Sequence, residues 1–82
     1  MSYCRIGKDS EIYLFKDFGG IYNLYIDLAA RNRIKGASIR AETFDNLFSL
    51  RARLWELDEQ GVKIPERALI RIHCEIIEIL DN

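Results

Sequence analysis

Residues 3–27 constrain the fold more than any other part of the chain, because they predict three antiparallel strands that are apolar on both faces. Aromatic and aliphatic side chains alternate on each side of a Gly19-Gly20 turn, where a glycine can supply positive φ. The alternating residues are Ile12, Tyr13, Leu14, Phe15, Ile21, Tyr22, Leu24, Tyr25 and Ile26. A small sheet that is covered on one face should carry polar residues on the other. We therefore expect the second face to meet the rest of the chain or another molecule.

Turn chemistry sets the expected strand boundaries. Glycine with Asx and Ser side chains at 7–10, and the Asp-Phe-Gly-Gly segment at 17–20, are typical of tight connections. The strands are then expected at 3–6, 11–16 and 21–27, with the β-propensity of Ile, Tyr, Leu and Phe in support.

The middle of the chain, residues 31–42, is predicted as a basic connector, and a fourth edge strand around 37–40 is the alternative. No acidic residue occurs between Asp27 and Glu42. The basic residues in this interval are Arg31, Arg33, Lys35 and Arg40. The whole chain has a net charge of −1 and a pI of about 5.8, which argues against generic nucleic-acid binding. The cluster is either a solvated loop or a patch for phosphate or for an acidic protein.

Two helices are predicted in the second half of the chain. Thr43 resembles an N-cap, Gly61 a C′ residue and Pro65 the first residue of the second helix. Apolar residues repeat at spacings of three and four in both segments. They are Phe44, Leu47, Phe48, Leu50, Leu54, Trp55 and Leu57, then Leu69, Ile70, Ile72, Ile76, Ile77, Ile79 and Leu80. The second helix has more apolar surface than one helix and a small sheet would cover, so we expect self-association as a homodimer through Ile70, Ile77 and Ile79.

These elements predict an α+β fold, since a run of strands is followed by a run of helices. The 82 residues suit a single domain spanning 1–82. It consists of a β-meander of about three strands (1–30), the basic connector (31–42) and an antiparallel αα-hairpin (43–82) packed on one face of the sheet.

The ionisable residues form no catalytic or cofactor signature. His73 and Cys74 are neighbours on a helix, so their side chains point about 100° apart and cannot easily share a metal. Cys4 could pair with His73 as a nucleophile only if the first strand packs on the second helix. Two cysteines make no disulfide scaffold, and neither a secretory signal nor a membrane span is evident. We assign no catalytic residue, metal or cofactor, and we expect a cytoplasmic protein.

The aromatic residues of the predicted sheet are the strongest binding candidates. Tyr3, Tyr13, Phe15 and Tyr25 share one sheet face in one possible strand register. Such residues complete a core, contact a protein partner, or stack on nucleic-acid bases beside basic side chains. The acidic pI ranks nucleic acid below a protein partner. The candidate partner-binding residues are Tyr3, Tyr13, Phe15, Tyr25, Arg31, Arg33, Lys35 and Arg40.

Two segments resemble short phage and prophage proteins of unassigned activity. Residues Met1 to Arg5, Glu11 to Phe15 and the Gly19-Gly20 pair are similar to the N-terminal block of that group. The stretch Gly61 to Leu69 is similar to a turn between helices near their C-termini. The resemblance implies a mobile-element origin in a bacterial host and supplies no activity.

Small phage proteins without catalytic residues often bind and block a host protein, and anti-CRISPR proteins are one such class. By this analogy we expect a non-enzymatic protein-binding module, an inhibitor of a host defence (CRISPR-Cas) complex. The alternative, which the local basic cluster indicates, is a small nucleic-acid-binding phage regulator. A third hypothesis is a minor enzyme that uses Cys4 and His73.

Overall fold

The described residues form an antiparallel sheet with two helices packed on one face, an α+β arrangement that confirms the predicted class. The computed structural model describes residues 2–27 and 39–81. The elements within them are β1 (Ser2–Cys4), β2 (Ile12–Lys16), β3 (Tyr22–Asp27), β4 (Ile39–Phe44), α1 (Leu47–Glu59) and α2 (Glu66–Leu80). The spatial order β1-β2-β3-β4 means that every strand pairs with its neighbour in the sequence.

Within the part of the chain that the structure describes, the sheet has four strands, one more than the main expectation. β4 pairs antiparallel with β3, from Phe44 opposite Tyr22 to Ile39 opposite Asp27. Residues 39–42, predicted as the end of the basic connector, are therefore part of a strand. The remainder of that connector and of the predicted edge strand falls in 28–38, outside the described residues. An edge strand needs no continuous apolar run, which is why its sequence gave a weak signal.

The start of α1 corrects the predicted N-cap. Thr43 and Phe44 belong to β4, and the cap is Asn46, whose Oδ1 accepts a hydrogen bond from the Ser49 N–H at 2.8 Å. Thr43 has the chemistry of a cap. Its backbone is committed to pairing opposite Asn23 in the sheet, and this tertiary pairing overrides the local preference.

The connection between the helices confirms the predicted turn chemistry. Gly61 adopts φ 88°, and its N–H donates to the Asp58 carbonyl at 2.9 Å. The Val62 N–H donates to the Leu57 carbonyl at 3.0 Å, which completes a Schellman ending. α2 begins at Glu66, one residue later than predicted, so Pro65 is its N-cap and not its first residue.

Strand alternation divides the sheet into an inner face, which meets the helices, and an outer face. Ile12 lies opposite Ile26, and Leu14 lies opposite Leu24; all four are buried on the inner face. They pack in one core with Leu47, Leu50, Leu54, Leu57, Ile72 and Ile76 of the helices.

Side-chain hydrogen bonds hold the helices to the edge strands. The Tyr3 hydroxyl donates to a Glu75 carboxylate oxygen at 2.6 Å, which links β1 to α2. Arg53 of α1 donates to Glu42 of β4 from Nε at 2.8 Å and from Nη2 at 3.0 Å. This fork-to-carboxylate geometry fixes orientation as well as distance.

Candidate functional site

An aromatic triad of Tyr13, Phe15 and Tyr25 lies on the outer face of the sheet. The β2–β3 register places Tyr13 directly opposite Tyr25, and Phe15 is two residues along the same strand. The ring centroids are 4.9 Å apart for Tyr13 and Phe15, and 6.0 Å apart for Tyr13 and Tyr25. The Phe15 and Tyr25 rings are 6.1 Å apart and nearly parallel, at 8°. The three half-buried rings therefore form one continuous aromatic surface.

The residues around the triad are uncharged on β4, cationic at one rim and acidic at another, where Asp27 shares the outer face of β3. Asn23, Ala41 and Thr43 share the outer face on β3 and β4. The Arg5 guanidinium carbon lies 5.8 Å from the centroid of the Tyr13 ring, within cation–π range. Protein interfaces are depleted of charge at their centre and enriched in Tyr and Arg. The composition of the outer face is of this type.

A rigid hairpin tip lies beside the triad and exposes Phe18 completely. Asp17 Oδ1 accepts hydrogen bonds from the N–H groups of Gly19 at 2.9 Å and Ile21 at 3.0 Å. The Asn23 amide donates to the other carboxylate oxygen at 3.1 Å. Gly20 adopts φ 84°, which a side chain would strain. This network orders the backbone that carries Phe18.

The same hydrogen bonds explain the ionisation of Asp17. The N–H of Ile21, followed by the Asn23 amide, holds the pKa of the Asp17 carboxyl below its usual range. A shallow depression of about 420 Å³, lined by Phe15, Lys16, Asp17 and Phe18, joins the tip to the triad. The triad and Phe18 are hereafter called the aromatic surface.

Tyr3 does not share the face of the other predicted aromatic residues. The β1–β2 register shifts between Ser2 and Cys4, so simple alternation fails in β1. Tyr3 is buried on the helix side, where it contacts Tyr22 and bonds Glu75. Burial, and then the hydrogen bond to Glu75, raise the pKa of its phenol. Its role is to join β1 to α2.

The predicted basic residues do not join the aromatic surface where they are described. Arg31, Arg33 and Lys35 lie outside the described residues. Arg40 forms an ion pair with Glu42 at 3.1 Å, and strand alternation puts both on the face opposite Ala41. Arg5, which was not among the predicted binding residues, supplies the positive charge beside the triad instead.

A second apolar surface lies on the helical hairpin. A groove of about 400 Å³ between α1 and α2 is lined by Arg51, Leu54, Trp55, Asp58, Leu69, Ile70, Ile72 and His73. The predicted self-association residues Ile70, Ile77 and Ile79 are about half exposed. Phe48 and Trp55, which the sequence placed on the core stripe, are also about half exposed. Each of the two follows a buried leucine in the sequence, so its side chain points about 100° around the helix from that leucine.

The structure does not bring Cys4 and His73 together as a nucleophilic pair. β1 does pack near α2, but Cys4 is buried against Ser10 and Ile12, whereas His73 is exposed and lines the groove. Burial raises the pKa of the Cys4 thiol, which disfavours the reactive thiolate. Both cysteines are free thiols.

No protein-family model, curated protein or solved structure matches this chain. Within residues 2–27 and 39–81, no group of three or more His, Cys, Asp or Glu side chains is placed to hold a metal ion. Neither of the two described helices has the length and apolarity required to cross a bilayer.

Sequence reasoning missed Phe18 and Trp55 as surface residues. The signal for Phe18 is a large aromatic residue inside an Asp-Phe-Gly-Gly turn, where no core contact is within reach. The signal for Trp55 is its position directly after the buried Leu54, about 100° around the helix.

Proposed function

We propose that this chain acts by binding another protein through its aromatic surface, and not by catalysis. The observation that carries the proposal is an uncharged aromatic triad with a fully exposed, hydrogen-bonded Phe18 turn at one end and Arg5 at its rim. A cluster of aromatic residues with Arg nearby is the usual composition of binding hot spots.

The energetics favour Phe18 as the anchor of such a contact. Burying one exposed Phe side chain contributes about 1.5–3 kcal/mol. Ordering a mobile loop would offset much of that gain. The bonds from Asp17 to Gly19 and Ile21 order this turn before any partner arrives. Most of the burial energy is therefore retained as affinity.

The partner that fits is a protein with an apolar hollow for the Phe18 ring and an acidic group that reaches Arg5. The phage-type N-terminal block makes a host defence complex of the CRISPR-Cas type the first class of partner to test. An 82-residue chain can inhibit such a complex by covering a surface that it needs. This mode of action requires contact area and no reacting group.

The experiment measures binding of the purified chain to purified CRISPR-Cas effector complexes, together with phage plaquing on hosts that carry them. We expect binding to one such complex and restored plaquing. Phe18→Ala should weaken binding about tenfold or more, as a lost hot spot does. Ile6→Ala is the control, because Ile6 is a 40% exposed apolar residue that belongs neither to the aromatic surface nor to the helical hairpin. Equal binding by both variants, or no effect on defence, would contradict the proposal.

Single-stranded nucleic acid is the second candidate ligand, because three rings on an antiparallel sheet beside Arg5 also suit base stacking. Fluorescence anisotropy with labelled single-stranded DNA and RNA distinguishes the two functions. A regulator of this kind should bind tightly at low salt, lose affinity steeply as salt rises, and weaken on Arg5→Gln. A protein-binding module should show no saturable binding to either probe.

A further inference from the structure

Each helix carries two adjacent heptad stripes, and only one of them is used by the core. The inner seam contains Leu47, Leu50, Leu54 and Leu57 on α1, and Leu69, Ile72, Ile76 and Ile79 on α2. The outer seam contains the residue that follows each of these: Phe48, Arg51, Trp55 and Asp58, then Ile70, His73, Ile77 and Leu80. Both seams alternate spacings of three and four, the pattern of helices that pack in bundles. The inner seam meets the sheet and the other helix, except at its last residue, Ile79, which is 50% exposed.

The outer seam exposes large side chains along the hairpin. Phe48, Trp55, Ile70, Ile77 and Leu80 are between 43% and 69% exposed. The groove of about 400 Å³ runs between the two halves of this seam, with Trp55 on one side and Ile70 on the other. An antiparallel helix pair with an apolar outer seam is half of a four-helix bundle.

We propose that the occupant of this groove is a second copy of the chain, and that the two hairpins pack face to face as an antiparallel four-helix bundle. At about 200 Å² for an aromatic side chain and somewhat less for Ile and Leu, and at roughly half exposure, the five apolar residues present on the order of 400–500 Å² per chain. A standard interface buries about 800 Å² per partner, of which about 65% is apolar in homodimers. The exposed apolar area therefore matches what a stable dimer needs.

The charges of the outer seam select a second copy over an unrelated helix. Arg51 and Asp58 are seven residues apart on α1, which is two turns or about 10.5 Å. A two-fold axis that lies between the two copies, perpendicular to α1 and level with the midpoint of Leu54 and Trp55, runs the two α1 helices antiparallel. It sets Arg51 of each copy opposite Asp58 of the other. The pattern is self-complementary, as an isologous interface requires. The Arg51 guanidinium also lies 5.3 Å from the Trp55 ring centroid, which positions it at the seam.

Dimerisation through the hairpin leaves the aromatic surface accessible. The triad is on the sheet face that points away from the helices. The dimer then presents two aromatic surfaces, one from each copy. This inference does not depend on the function proposed for that surface, because the two surfaces share none of their residues.

Charge reversal provides the test, with mass measured by sedimentation velocity and multi-angle light scattering. We expect the wild-type chain to sediment as a dimer. Arg51→Glu alone sets two acids opposite each other, and Asp58→Arg alone sets two bases opposite each other. Each variant should raise the dimer dissociation constant about tenfold or more, since like charges in an interface are costly. Circular dichroism checks that both variants remain folded.

An equimolar mixture of the two variants is the decisive measurement. In a mixed dimer, Glu at 51 meets Arg at 58, and the native Asp58 meets the native Arg51, so both pairs are restored. We expect the mixture to form a heterodimer of nearly wild-type affinity. Glu56→Lys, an exposed α1 position outside the outer seam, is the matched control and should leave the dimer unchanged. Two results would overturn the inference. One is a wild-type chain that stays monomeric at about 10⁻⁴ M. The other is a mixture of the two variants that dimerises no more tightly than either variant alone.

Discussion

Removing the Tyr3 hydroxyl tests how much its hydrogen bond to Glu75, which links β1 to α2, stabilises the fold. Tyr3 is buried, and its hydroxyl donates to Glu75 at 2.6 Å. The Arg71 guanidinium lies 4.8 Å from the same ring. Tyr3→Phe keeps the ring and its contact with Arg71, so the substitution isolates the hydroxyl.

The expected loss follows from the geometry. A hydrogen bond to a charged acceptor contributes about 1.5–3 kcal/mol. The Glu75 side chain is 27% exposed, so water replaces part of the lost bond and the lower end of the range applies. We expect the free energy of unfolding to fall by about 1.5 kcal/mol, and the Tm to fall by roughly 6–12 °C for a domain of this size. Urea unfolding followed by circular dichroism at pH 8 measures the change.

The pH dependence gives a second readout of the same bond. Burial, followed by the bond to Glu75, raises the pKa of the folded Tyr3 phenol. The stabilising contribution is therefore complete below the unfolded pKa of about 10, and it is lost as pH rises above that value toward the raised folded pKa. The stability gap between wild type and Tyr3→Phe should narrow above pH 10 by up to about 1.4 kcal/mol per pH unit.

Two results would refute this reasoning. One is a change below about 0.5 kcal/mol at pH 8, which is within the range of an ordinary surface substitution. The other is a gap that stays constant from pH 9 to pH 11, on either side of the unfolded pKa of about 10. Tyr25→Phe is the control, since it removes a hydroxyl from the outer face and should leave stability within about 0.5 kcal/mol of wild type.

Two further substitutions test the other polar features. Glu42→Gln weakens the forked contact with Arg53 and should lower the free energy of unfolding by about 1–2 kcal/mol. Glu56→Gln is the control, because its contact with Arg53 is exposed, and it should lower the free energy of unfolding by less than about 0.5 kcal/mol. Equal losses for the two variants in urea unfolding would contradict the importance of the forked contact. The lowered pKa of Asp17 means that its contribution to the hairpin is present above the unfolded pKa of about 3.9 and is lost as pH falls through the lower folded value. Asp17→Asn should therefore speed amide hydrogen exchange at Ile21 at neutral pH. It should also remove the loss of protection at Ile21 that acid causes in the wild type. Unchanged exchange would count against the turn network.

Local chemistry was sufficient to predict the α+β class, the Gly19-Gly20 turn and the ending of α1. In each case the cause lies within a few residues. Glycine tolerates the φ of 84° at Gly20 and 88° at Gly61. The period-two pattern of 12–16 and 22–26 and the helical spacing of 47–57 reflect burial on one side of each element.

Predictions failed where a distant segment decided the outcome. Thr43 has the side chain of an N-cap, but pairing with Asn23 extends the strand past it. The register shift in β1 turns Tyr3 toward Glu75, and no sequence period reports such a shift.

The sequence by itself determined the first three strands and both helices, because turn residues and hydrophobic period act over a few positions. Only the tertiary structure decided which apolar side chains remain outside. Leu54 and Trp55 are adjacent and both apolar, yet Leu54 is fully buried and Trp55 is 57% exposed. Tyr3 and Tyr13 are both strand tyrosines, yet one bonds a helix and the other joins the triad. Burial depends on which face the neighbouring layer covers, and that layer comes from residues far away in the chain.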